Sequence, residues 1–206
     1  MINFMKVLII GGTGTVGKAV IEELNGRHEI IVASRTGGDI QVDIENEASI
    51  VEMYKKLPKL DAVVVTTGGR GGHVAPLTEM SVEDYRVGLD SKLLGQVNVV
   101  LKGIEFMNEG GSFTLIGGAS GAQDVVPQLS NFFMVNAALE GFVTAAATEL
   151  PKSLRINAVC PTVITESMPA FGSYFRGFSS VPSREIAMAF SKSIEGVQTG
   201  QNYNLS

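Results

Sequence analysis

Tryptophan is absent from this 206-residue chain, and cysteine and histidine are nearly so. The single cysteine, Cys160, excludes an internal disulfide and fits a reducing, cytoplasmic setting. Two histidines, His28 and His73, stand far apart with no cysteine cluster beside them, which argues against a structural zinc site. Charge is thin as well. Charged residues make up 18% of the chain, and a net charge of -5 offers no basic surface to a nucleic acid or an anionic membrane. No apolar run approaches the roughly 20 residues that cross a bilayer. The first such run is short and breaks into glycines rather than a small-residue cleavage site, so it does not read as a signal peptide.

What is present is enough apolar material for a core. Hydrophobic residues reach 45%, and the length suits a single domain over residues 1–206. Short β-rich runs alternate with longer amphipathic segments. The spacing predicts strands near 5–10, 29–33, 40–42, 61–66, 112–116, 154–159 and 202–205. It predicts helices near 15–25, 46–57, 81–107, 131–149 and 183–194, with Asn46 and Ser81 as N-caps and Asp84 closing a capping box. Alternation of this kind gives an α/β fold, a doubly wound parallel sheet of about seven strands with helices on both faces. One irregular stretch, Thr165 to Val181, combines Pro169, Gly172 and Gly177 with Phe171, Tyr174, Phe175 and Phe178. A lid over a cleft has that composition, and so does a loop packed on a neighbouring subunit.

The strongest local signal lies where the first strand ends. Val7 to Ile10 run into Gly11-Gly12-Thr13-Gly14-Thr15-Val16-Gly17, and the amphipathic Lys18 to Leu24 follow. Glycines there let backbone approach a pyrophosphate, and the free N–H groups of a helix start solvate its charge. Gly12 through Lys18 also spell the start of a P-loop, but Ala19 lacks the hydroxyl that would ligate magnesium. The spacing of Gly11, Gly14 and Gly17 therefore reads as a dinucleotide turn. After the second strand the chain reads Ala33-Ser34-Arg35-Thr36. An NAD site usually carries an acid at this point; Arg35 offers a planar cation to a phosphate and Ser34 a hydroxyl, which favours NADP and makes NAD the less suited cofactor. Asp43 and Ile44, after the third strand, are placed to meet the adenine.

Further motifs fall in register. They are Thr66-Thr67-Gly68-Gly69, Lys92-Leu93-Leu94-Gly95, Asn136-Ala137-Ala138-Leu139 and Arg155-Ile156-Asn157-Ala158-Val159-Cys160-Pro161. With the glycine turn and Asp43-Ile44, this series resembles the short-chain dehydrogenase/reductase family over essentially the whole chain. The resemblance implies a Rossmann-like sheet and an oxidoreductase acting on a small carbonyl or alcohol. It also implies cofactor contacts from Thr67, Gly68, Gly69, Asn136, Pro161 and Thr165.

The family's chemistry uses a tyrosine as general acid/base, a lysine four residues later, a serine and a helix asparagine. Alignment on Ala137-Ala138-Leu139 puts Phe132 at the tyrosine and Asn136 at the lysine. It puts Gly117 or Gly118 at the serine and Lys92 at the asparagine. None of Tyr54, Tyr85, Tyr174 and Tyr203 precedes a lysine by four residues. Phe132 has no proton to give. The resemblance makes Lys92 and Asn136 the catalytic candidates, with Ser120 or His73 in support. The small residues and aromatics of the helix near 131–149 suggest a homodimer or homotetramer, as the family usually forms. Two readings stand: a divergent NADP-dependent oxidoreductase, or an NADP-binding sensor or structural subunit without catalysis.

Overall fold

Strands buried on both faces carry β-branched residues on both sides, and the first strand does so. In a computed structural model, which describes residues 4–68, 72–121 and 124–206, β1 (Lys6–Ile10) lies inside one parallel sheet with a strand on either side. Seven strands lie in the order β3-β2-β1-β4-β5-β6-β7. They are β2 (Glu29–Ser34), β3 (Ile40–Gln41), β4 (Leu60–Val65), β5 (Met107–Ile116), β6 (Arg155–Pro161) and β7 (Asn202–Leu205). Alternation with period two divides β1, sending Leu8 and Ile10 into one core layer and Val7 and Ile9 into the other. In the first layer α2 (Glu47–Lys55), α4 (Gly95–Gly103) and α5 (Ser130–Ala146) supply Ile50, Val99 and Leu139. In the second, α1 (Thr15–Leu24) and α7 (Ser183–Glu195) supply Val20 and Phe190. Helices thus cover both faces of the sheet. Among the described residues no helix is long and apolar enough to cross a membrane.

Two boundaries differ from the sequence reading. The helix expected over 81–107 is four pieces: α3 (Val82–Gly88), a π-helical turn over Leu89–Leu94, α4, and a 3-10 turn over Ile104–Phe106. The Gly95 N–H reaches back five residues to the Asp90 carbonyl, which widens the turn. Strand β5 starts at Met107, five residues before the expected start. Met107 pairs with Leu60, and the register then shifts so that Ser112 faces Ala62, with Gly110 at a φ of 74°. Apolar periodicity does not reveal a bulge of this kind. The expected caps form as read: the Asn46 side chain accepts from Ser49 N–H, and Ser81 and Asp84 close a capping box. Within the Thr165–Val181 stretch the structure adds a short helix, α6 (Met168–Phe171).

Candidate functional site

In an open parallel sheet the crevice lies where strand order reverses, at the carboxyl ends of the strands. Here the reversal falls between β1 and β4, and the chain leaves β1 through Gly11 at a φ of 90°. Gly11 N–H donates to Ala33 O at 2.8 Å, which holds the turn against β2. A side chain at Gly11 would bring Cβ within 2.9 Å of Thr66 Oγ1 and of Thr67. One at Gly17 would collide with the Gly11 carbonyl, so Gly17 is what lets α1 seat against the turn. Gly14 differs: its Cβ would meet only Gly11 O, at 3.4 Å, leaving the backbone open on its outer side. Helix α1 begins there with no side-chain cap and no acidic residue in its first turn. Uncapped N–H groups at a helix start form a donor set for a phosphate.

An outer cavity of about 240 Å³ opens on this turn. Gly11, Thr13 and Gly14 line one side, Ser34 and Arg35 another, and Asp43, Ile44 and Thr67 complete it. Asp39, the nearest acid after β2, accepts the Val32 N–H and so belongs to the chain turn. The Ser34 hydroxyl points at the carbonyls of Thr36 and Gly37, so any ligand contact it makes is as an acceptor. Gly95 explains its motif by packing: a Cβ there would press on Ile44 at 3.0 Å.

Thr66 also lines a second, inner cavity of about 350 Å³. Its walls are largely apolar, with Phe132 and Phe133 from α5, Phe171 and Phe175 from the stretch after β6, and Val16 from α1. Lys92, in the π-helical turn, is its one cation among the described residues. The Lys92 ammonium donates to Gly117 O at 2.9 Å and to Asn136 Oδ1 at 2.7 Å. Burial pulls its pKa down to about 8. Gln96 holds both sides of this contact. Its buried amide exchanges two hydrogen bonds with the Ile116 backbone and donates a third to Lys92 O. Gly68 leaves room for the lysine stem, because a Cβ there would stand 3.1 Å from Lys92 Cγ and Cδ.

Asn136 is more committed than the sequence suggested. Its Oδ1 holds Lys92 and its Nδ2 donates to Ala119 O, leaving one N–H for a ribose hydroxyl. Gly118 is tied to it, since a Cβ at Gly118 would lie 2.6 Å from Asn136 Nδ2. At Gly117 a Cβ would lie 2.6 Å from Cys160 Sγ. The bare Gly118 and the Asn136 amide are therefore one linked fit.

Several candidates lie elsewhere. The Ser120 hydroxyl bonds Glu140 and does not line the inner cavity. His73 is exposed and lines neither cavity. The Thr165 hydroxyl donates to Ser180, while Pro161, Thr162 and Ile164 are the wall residues of that segment. Thr15 lines neither cavity. Gly69 lies outside the described residues. Thr66 was missed as a site residue, although its place at the end of β4 could have indicated it. Arg155 and Asn157 fasten β6 to the end of α7: Arg155 donates to Ser193 O and Ile194 O, and Asn157 to Ser193 Oγ and Gln198 O.

The profile of a family described as enoyl-(acyl carrier protein) reductase matches residues 12–197. The crystal structure of the protein lin1944 from Listeria innocua is similar at 44% identity, with a TM-score of 0.93, over 98% of this chain and 100% of that one. A small-chain dehydrogenase solved in complex with NADPH has 24% identity and a TM-score of 0.85, over 99% of this chain and 97% of that one. An uncharacterized oxidoreductase of Mycobacterium tuberculosis is 30% identical over 114 residues, which are 53% of this chain and 42% of that protein. The chain thus spans less than half the length of that curated relative. With the sheet order, the crevice and a profile covering most of the residues in agreement, the chain belongs to the short-chain dehydrogenase/reductase family.

Proposed function

We propose that the chain is an NADP-dependent oxidoreductase that interconverts a small carbonyl and its alcohol. The observation that carries this reading is the pair of adjoining cavities at the strand-order reversal, sharing Thr66, one with Arg35 and the other with Lys92. Arg35, Ser34 and the uncapped start of α1 would hold the phosphates, and Asp43 and Ile44 the adenine. The dinucleotide supplies hydride when bound. Lys92 takes the part of the missing tyrosine. Two of its N–H groups are held by Gly117 O and Asn136 Oδ1, and the third is free for a substrate oxygen. An ammonium whose pKa is about 8 can both stabilise a developing alkoxide and give it a proton near neutral pH. Phe132 and its aromatic neighbours exclude water from that transfer.

The exposed small residues of α5, Ala137, Ala138, Gly141 and Ala145, support self-association through that helix, which light scattering on the eluting protein tests. The enzymatic reading is tested by titrating NADPH and NADH and by assaying NADPH consumption against a panel of carbonyls. NADPH should bind more tightly, and Lys92→Met should lower turnover roughly tenfold or more with the fold intact. Equal or tighter NADH binding would overturn the cofactor assignment. Binding without turnover on any carbonyl would replace the enzyme with an NADP-binding sensor.

A further inference from the structure

Lys92 is a half-buried cation on the cavity wall, and its hydrogen-bond acceptors, Gly117 O and Asn136 Oδ1, are both neutral. No carboxylate among the described residues lies within ion-pair distance of it. The titratable groups packed around it do not supply the missing charge. On β6 the Cys160 thiol is pushed up to about 12, chiefly by burial, and is neutral at physiological pH. On α5 the Glu140 carboxylate accepts from the Ser120 hydroxyl and stands beyond ion-pair distance of the ammonium. Asp124 lines the inner cavity as well as the neighbouring one beside Leu205 but stands beyond ion-pair distance of the ammonium, and Asp90, on the same π-helical turn, is exposed. A desolvated charge without a counter-charge is costly, and an anion that enters the cavity relieves that cost.

The cavity also limits the rest of the ligand. Leu129, Phe132, Phe133, Phe171 and Phe175 make walls suited to an alkyl or aryl body. Two Lys92 N–H groups are taken by Gly117 O and Asn136 Oδ1, which leaves one for the ligand, and a carboxylate oxygen and a carbonyl oxygen on the adjoining carbon lie close enough to share it. We infer that the inner cavity takes a 2-oxo or 2-hydroxy acid with an apolar side chain, its carboxylate and adjoining oxygen sharing the Lys92 ammonium. This substrate class rests on the oxidoreductase reading. The 2-oxo carbon gains hydride, its oxygen gains the Lys92 proton, and the 2-hydroxy acid results. The reduced dinucleotide is oxidised, and the lysine regains its proton from water.

The test pairs phenylpyruvate with phenylacetone, which has the same aryl ketone skeleton without the carboxylate. Each is titrated by calorimetry and thermal shift into the wild-type chain, with and without NADPH, while NADPH affinity is read separately from nicotinamide fluorescence. The expected result is roughly tenfold or tighter binding of phenylpyruvate, weakening as pH rises above about 8. Lys92→Met should erase the difference and Lys92→Arg should keep part of it. Phenylacetone binding as tightly as phenylpyruvate, or a preference that survives in Lys92→Met, overturns the inference. Should Lys92→Met not fold, the wild-type pair and its pH dependence still decide. Failure of NADPH to bind overturns the oxidoreductase reading, and the titrations without cofactor continue to report on the acid.

Discussion

The turn after β1 and the turn after β5 both follow buried parallel strands, yet they face cavities of opposite construction. At Gly11 the working groups are backbone N–H donors and the open side of Gly14, and a side chain at Gly11 or Gly17 would collide with the turn. At Gly117 the backbone carbonyl serves as an acceptor that helps position a lysine. The first arrangement depends on the absence of side chains, so few sequences can make it. The second depends on which side chains meet across π-helical turn, strand and helix. There Lys92 and Asn136 are bonded to each other at 2.7 Å, so the contact depends on residues 44 positions apart.

The largest effect is expected at the first turn. Gly11→Val places a branched side chain at a φ of 90° against Thr66 and Thr67. NADPH binding should fall by a factor on the order of 10² or more, on the scale where 1.4 kcal/mol is tenfold, in protein whose circular dichroism is unchanged. Retained affinity would show that the glycine turn is structural only.

The inner cavity is probed next through stability. Because the folded pKa of Lys92 is depressed from 10.5 to about 8, the folded chain binds this proton more weakly than the unfolded chain. The resulting penalty is fully present below about 8 and vanishes as pH rises through 10.5. Lys92→Met removes it. The stability of the wild type relative to Lys92→Met should therefore rise by up to about 3 kcal/mol between those limits, read by denaturant titration at several pH values. A difference independent of pH would place the ammonium in a more aqueous setting.

Exchanging the site back sharpens the contrast. Phe132→Tyr with Asn136→Lys would set a second ammonium against Lys92, which stands 2.7 Å from the present amide oxygen. That pair should destabilise the chain and gain little activity. Adding Lys92→Asn should raise turnover of neutral ketones roughly tenfold or more above the pair, because a tyrosine with an adjacent lysine restores an ionisable acid. Equal activity in the two variants would separate Lys92 from the chemistry.

Two smaller effects complete the comparison. Arg35→Asp should reverse the order of NADPH and NADH binding, with a shift of roughly tenfold, measured by fluorescence titration. Ser120→Ala should leave turnover unaltered and change stability by less than about 1 kcal/mol, since its hydroxyl serves Glu140 and not the cavity.

Much of the outer cavity was legible before any coordinates. Glycine spacing after an apolar run, and Arg35 where an acid would stand, are local features, and local sequence sets a turn's backbone. The series of motifs also indicated a doubly wound parallel sheet of about seven strands. Where the reading went astray, a long-range contact was responsible. Pairing of Leu60 with Met107 extended β5 backward past two glycines, and the Gln96 clamp on Ile116 is one of the contacts that hold the turn before α4. Ser120, His73 and Thr165 stood near the motifs in sequence but face Glu140, solvent and Ser180 in space.

By itself the sequence determined the fold, the glycine turn after β1 and the absence of a tyrosine four residues before a lysine, because each is a property of residue order or identity. Only the tertiary structure decided that Lys92 reaches Asn136, that Gly118 must stay bare to admit that amide, and that the ammonium has no carboxylate partner among the described residues. Those facts depend on elements 18 to 44 residues apart, brought together by the packing of α5 and the π-helical turn against β5. Charge compensation in a cavity is set by what packs around the group, and neither motif nor periodicity records it.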